Sequence, residues 1–162
     1  MTSKLQKFLA LSAERKTLLL QSAIRLASTR HRLSRVPFKK LVAHLELVPI
    51  QDDQFGGKVP PSSTDSLGTA RRIGWAIHTA SNQLPWESSC LVQVLAAQLM
   101  LQRRGIGGVF YLGANTQGEP APAGGPESVP GFRAHAWLQC GDVVISGEAG
   151  HEAYTIISAY RW

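Results

Sequence analysis

The stretch LPWESSCLVQVLAAQLMLQRRG, residues 84–105, sets the strongest limit on how this chain can fold. Its apolar residues run too continuously for an exposed helix, so it reads as a long buried one that other elements must cover. Pro85 stops the helix before it, and Gly105 or Gly107 ends it. One of only two cysteines, Cys90, falls in its first turn, behind Ser88 and Ser89, which are good N-cap residues.

Upstream, the hydrophobic spacing is helical. Leu5, Phe8, Leu9, Leu18, Leu19, Ile24, Leu26 and Leu33 recur between basic residues; Pro37 breaks the pattern and FKKLVAHLEL resumes it. VPIQDDQFGGKVPPSSTDS is loop by composition, and a further helix begins near Asp65 or Ser66. After residue 107 the period changes to two. GVFYLGANT, FRAHAWLQC, DVVISGE and YTIISAY read as strands, and the Pro/Gly-rich QGEPAPAGGPESVPG as a loop. Helices first and strands later imply an α+β domain, with an antiparallel sheet packed on the Cys90 helix. The expected organisation is a basic helical arm over residues 1–48, a linker loop over 49–64 and a core over 65–162.

The chain has 162 residues, one domain's worth, and 44% apolar content, enough for a core. Two cysteines make no disulfide framework. The run TLLLQSAIRLAST carries Arg25, lacks a small-residue cleavage pattern and is too short to span a bilayer, so a reducing cytoplasm is expected. Net charge is +6 but uneven: through Val42 the only acid is Glu14, against ten Lys and Arg. Such a front end suits an acidic partner, an anionic membrane or nucleic acid, or is simply a solvated helical face. Only Phe8 and Phe38 interleave the basic residues, which argues against base stacking and hence nucleic acid.

The first turn of a helix favours an anion through its unpaired N–H groups and its dipole, so a thiolate and the oxyanion of acyl transfer both suit the position of Cys90. A thiolate nucleophile needs a base, normally histidine. His31 and His44 lie in the basic arm, His78 falls mid-helix and His151 follows Gly150 in a loop. His135 lies in a strand between two alanines, which gives it rigid aim. If CGDV is a two-residue hairpin turn, Cys140 faces Val143 and, counting outward, His135 faces Glu148. Glu148 is then the expected third group, whereas Asp142 sits about 23 Å away along the strand. A one-residue slip would send Glu148 to the other face. Cys140 alternates away from His135 and reads as packing. Zinc chemistry with Cys90, Cys140, His135 and His151 lacks paired-ligand spacing, so no metal or cofactor is expected.

LPWESSCLVQVLAAQLMLQRRGI followed by FRAHAWLQCGDVVISGE resembles the transglutaminase-like cysteine peptidases of lasso-peptide biosynthesis, specifically the stand-alone leader peptidase. LLLQSAIRLAS, VPFKKLVAHL and TARRIGWAIHTAS extend the resemblance over nearly the whole chain. It implies a papain-like α+β core in which Cys90 is the nucleophile and His135 the base. The family's acid is an aspartate on the following strand, where this sequence has Gly147 and then Glu148. The implied partners are a lasso precursor peptide, a separate leader-recognition protein and an ATP-dependent cyclase acting next. The basic N-terminal arm would dock the recognition protein or the leader, with peripheral membrane contact as its alternative. An acyl transferase or amidase, or a leader-binding scaffold whose triad has decayed, are the competing readings.

Overall fold

The computed structural model describes residues 4–51, 63–115 and 133–162. The proline-rich loop expected over 117–131 and most of the expected linker lie outside them. Five α-helices run α1 (Lys4–Leu9), α2 (Ala13–Leu33), α3 (Phe38–His44), α4 (Thr64–Ser81) and α5 (Cys90–Gln102). Among the described residues there are also a short 3-10 helix (His151–Ala153) and five strands: β1 (Val48–Ile50), β2 (Val109–Asn115), β3 (Arg133–Cys140), β4 (Val143–Ser146) and β5 (Thr155–Arg161). The strands form one antiparallel sheet in the order β1-β5-β2-β3-β4. The α+β expectation therefore holds.

Buried α5 organises the layers. Val94, Leu95, Ala96, Ala97 and Leu101 are wholly buried because α2 and α4 cover one side and the sheet covers the other. The basic stretch expected as an arm contributes α2 to this same core. Ser12 caps α2 by accepting from the Arg15 backbone N–H at 3.4 Å, and Leu18, Ser22, Leu26 and Thr29 form its buried stripe. The buried Ser22 hydroxyl finds the Met100 thioether of α5 at 3.7 Å. Phe38 at the head of α3 meets Phe110 and Tyr160 edge-on, and those two rings stack at 5.0 Å, seating α3 on β2 and β5.

Alternation divides the sheet residues between two faces. Phe110, Leu112, Ala136, Leu138 and Cys140 join the helix-side core, whereas Val109, Tyr111, Trp137 and Ala159 form a second cluster. Strand β1 falls inside a segment expected as loop. It is three residues long, sits at the sheet edge and carries Pro49, which can donate no ladder hydrogen bond. Among the described residues no helix is long and apolar enough to cross a membrane.

Candidate active site

Cys90 is the first residue of α5, as the serine pair predicts. Ser89 is the N-cap, in extended backbone, and its hydroxyl accepts from the Val92 N–H at 3.4 Å. The Gln93 side chain donates to the Ser88 carbonyl at 2.9 Å and fixes the approach to the helix. From α2, Arg30 Nη1 donates to the Glu87 carbonyl at 2.8 Å, which pins the same loop from the other side. Cys90 is half-buried against the helix-side core. Trp86 Nε1–H and the Ser88 hydroxyl, both just upstream, are buried without a hydrogen-bond partner among the described residues.

His135 lies near the start of β3, on the face that carries Trp137. Its ring stacks on Trp137 at 6.0 Å and tilts against Tyr154 at 5.0 Å, and Trp137 in turn meets His151 at 5.6 Å. Its Nε2 is 2.7 Å from the Gly147 carbonyl oxygen. A carbonyl can only accept, so Nε2 carries the proton and the lone pair of the neutral ring lies on Nδ1. His135 is thereby oriented as a base, by a backbone group.

That contact corrects the hairpin count. The turn is where the sequence puts it: Cys140 pairs with Val143 across Gly141, whose φ is 55°. Gln139 then pairs with Val144, but a bulge follows and Leu138 pairs with Ser146 instead of Ile145. β4 stops there, so Glu148 lies beyond the strand and is exposed. No hydrogen bond or ion pair of its carboxylate is formed among the described residues, and its backbone carbonyl accepts from His151 Nδ1 at 2.7 Å. Asp142 stays in the turn, exposed.

Gly147, noted in the sequence only as a departure from an aspartate, is the residue that sequence reasoning missed. Its φ is 77°, and a Cβ there would lie 2.3 Å from the Ala136 carbonyl oxygen and 2.9 Å from Trp137 Cα. Only glycine lets the chain turn so closely over β3 and deliver a carbonyl to His135. A glycine at a strand end is the available signal for such an approach.

Helix α5 packs on β3 and β4, but through the face that carries Ala136, Leu138 and Cys140, whereas His135 stands on the opposite face with Trp137. No hydrogen bond joins Cys90 to His135 in this arrangement, and the structure brings neither to Glu148. Cys140 is fully buried, and burial pushes its thiol up to about 11, as befits packing. Burial also raises the Tyr111 hydroxyl. No cluster of His, Cys, Asp and Glu able to hold a metal exists among the described residues.

An α+β domain with a capped thiol heading its central helix and a strand-borne imidazole in a fixed tautomer has the parts of a cysteine-nucleophile enzyme. The sequence model of the transglutaminase-like superfamily matches residues 17–159, and the chain belongs to that superfamily. Membership supports cysteine-peptidase or acyl-transferase chemistry in general. The match covers all of α2 but its first turn, consistent with the packing of that helix into the core. No curated protein and no solved structure matches the chain.

Proposed function

We propose that this chain is a cytoplasmic cysteine peptidase that removes the leader from a ribosomally made lasso-peptide precursor by hydrolysing one peptide bond. It would act with a separate leader-recognition protein and ahead of an ATP-dependent cyclase. The observation that carries the reading is Cys90 at the capped first position of buried α5, in a member of the transglutaminase-like superfamily.

In the proposed mechanism, Nδ1 of His135 takes the Cys90 proton and the thiolate attacks the scissile carbonyl. The oxyanion rests on first-turn N–H groups of α5, including that of Cys90. His135 returns the proton to the departing amine, and water then resolves the thioester. The Gly147 carbonyl takes the orienting role expected of Glu148 and holds the ring throughout. Because His135 stands on the sheet face away from α5, the mechanism requires β3 and the first turn of α5 to shift relative to each other when substrate or recognition protein binds, so that thiol and imidazole come within hydrogen-bond reach.

The decayed-scaffold reading draws on the same site, because His135 has a carbonyl partner where the family has a carboxylate, and the thiol–imidazole bond is unmade. Mass spectrometry of a precursor incubated with this chain and its recognition protein separates the two. Release of the leader by wild type and not by Cys90→Ala supports the peptidase. Intact precursor in both, with binding demonstrated in the same sample, overturns it in favour of the scaffold.

A further inference from the structure

We propose that the cavity beside Cys90 is a subsite for a stretch of peptide substrate that carries an apolar side chain next to an acidic one. The inference rests on the peptidase reading above. The cavity has a volume of about 560 Å³ and lies between the end of α2, the start of α3 and the first turn of α5. Ser89 and Leu91 both line it. They flank Cys90 in sequence, while Cys90 itself is not in the lining, so a peptide with its carbonyl at the thiol reaches this space by passing over Ser89 at the head of α5.

The lining sets the chemistry. Leu33, Val36 and Phe38 supply an apolar wall, and Arg30 and Arg35 supply charge. Both arginines are exposed, and neither is in an ion pair among the described residues. The lining includes no carboxylate. Arg30 gives one N–H to the Glu87 carbonyl, which leaves its other donors and the whole of Arg35 to meet an anion. A leucine beside a glutamate satisfies wall and guanidinium together. A lysine is repelled, and a serine leaves the apolar wall unfilled.

The test uses the full chain with Cys90→Ala, so that binding is read without turnover. Three fluorescein-labelled octapeptides serve as probes: alternating glutamate and leucine, alternating lysine and leucine, and alternating glutamate and serine. Fluorescence anisotropy at 50 mM salt should show the glutamate–leucine peptide binding about tenfold tighter than either other. Arg35→Glu is the variant of choice, because Arg35 is exposed whereas Arg30 also positions the nucleophile loop. With the fold checked by circular dichroism, it should weaken the glutamate–leucine peptide about tenfold and strengthen the lysine–leucine one. Equal binding of all three peptides, or a glutamate–leucine affinity unchanged by Arg35→Glu, overturns the subsite. Cleavage of a precursor by wild type alongside either result would leave the peptidase reading standing. Arg35-dependent binding without cleavage would sink the peptidase and leave the subsite.

Discussion

Gly147→Ala tests whether a backbone carbonyl holds the base. The substituted residue must adopt a φ of 77°, which costs a side chain with a Cβ about 1–2 kcal/mol. The new methyl would sit 2.3 Å from the Ala136 carbonyl oxygen and 2.9 Å from Trp137 Cα. Those neighbours are backbone with no flexible end to give way, so residue 147 itself must move, at a further cost of about 1–3 kcal/mol. The sum, about 2–5 kcal/mol, lowers Tm by roughly 5–15 °C in a chain of this size. Any such movement withdraws the carbonyl from His135 Nε2. Long-range ¹H–¹⁵N NMR should show the Nε2–H tautomer in wild type and a mixture of tautomers in the variant. Cleavage at a temperature where the variant is folded should fall about 100-fold, as for a catalytic group displaced by an ångström. A variant that keeps its Tm within a degree, its Nε2–H tautomer and its full rate would refute the reasoning.

Glu148→Gln and Asp142→Ala should each leave cleavage within twofold of wild type and Tm nearly unchanged, since both side chains are exposed; a large loss in Glu148→Gln alone would restore the carboxylate triad. Of the two thiols, Cys90 should react with iodoacetamide in the native protein, and Cys140 only on unfolding, read by peptide mass spectrometry. The raised Cys140 thiol also ties stability to pH. Its folded value of about 11 exceeds the ordinary 9.0, so its contribution is present below pH 9 and is lost as pH rises towards 11. Urea melts of Cys140→Ala should therefore lose less stability than wild type over that interval. Glu46 closes α3 with a φ of 54°, and the Leu47 N–H bonds back to the Val42 carbonyl at 3.1 Å, the cap geometry that favours glycine. Glu46→Gly should raise stability by about 1 kcal/mol in the same melts, and a fall would mean that the Glu46 side chain contributes to folding.

What the sequence revealed and what it hid follow from range. Ser89, Cys90 and the apolar run behind them are local, and the helix start and burial could be read without tertiary knowledge. The turn at Gly141 and Asp142 is local too. The register beyond it is not: the bulge at Leu138/Gln139 is decided by how β4 ends and turns over β3, which no alternation pattern records. A single slipped residue moved the partner of His135 from a carboxylate to a carbonyl. In α2 the sequence marked the helix but not its buried face. The residues whose spacing marked the helix do not all face inward: Ile24 is 58% exposed, while the buried stripe includes Ser22 and Thr29. Ser22 is buried because Met100 lies opposite, and its pairing is visible only when α5 is in place.

A carbonyl and a carboxylate do the same geometric work on an imidazole but not the same electrostatic work. Each fixes the Nε2–H tautomer and aims Nδ1. A carboxylate also places a full negative charge beside the ring and stabilises the imidazolium that forms once the thiol proton moves, whereas a carbonyl offers only its dipole. With the Gly147 carbonyl in that place, the thiolate–imidazolium pair draws less support from within the chain. Under the proposed function, the remainder would come from the N-terminal end of α5 and from desolvation of the site by bound substrate and the proposed recognition protein. The unmade bond between Cys90 and His135 fits that division of labour. On this reading, catalysis depends more steeply on the recognition partner than it would in a relative with an aspartate at the third position.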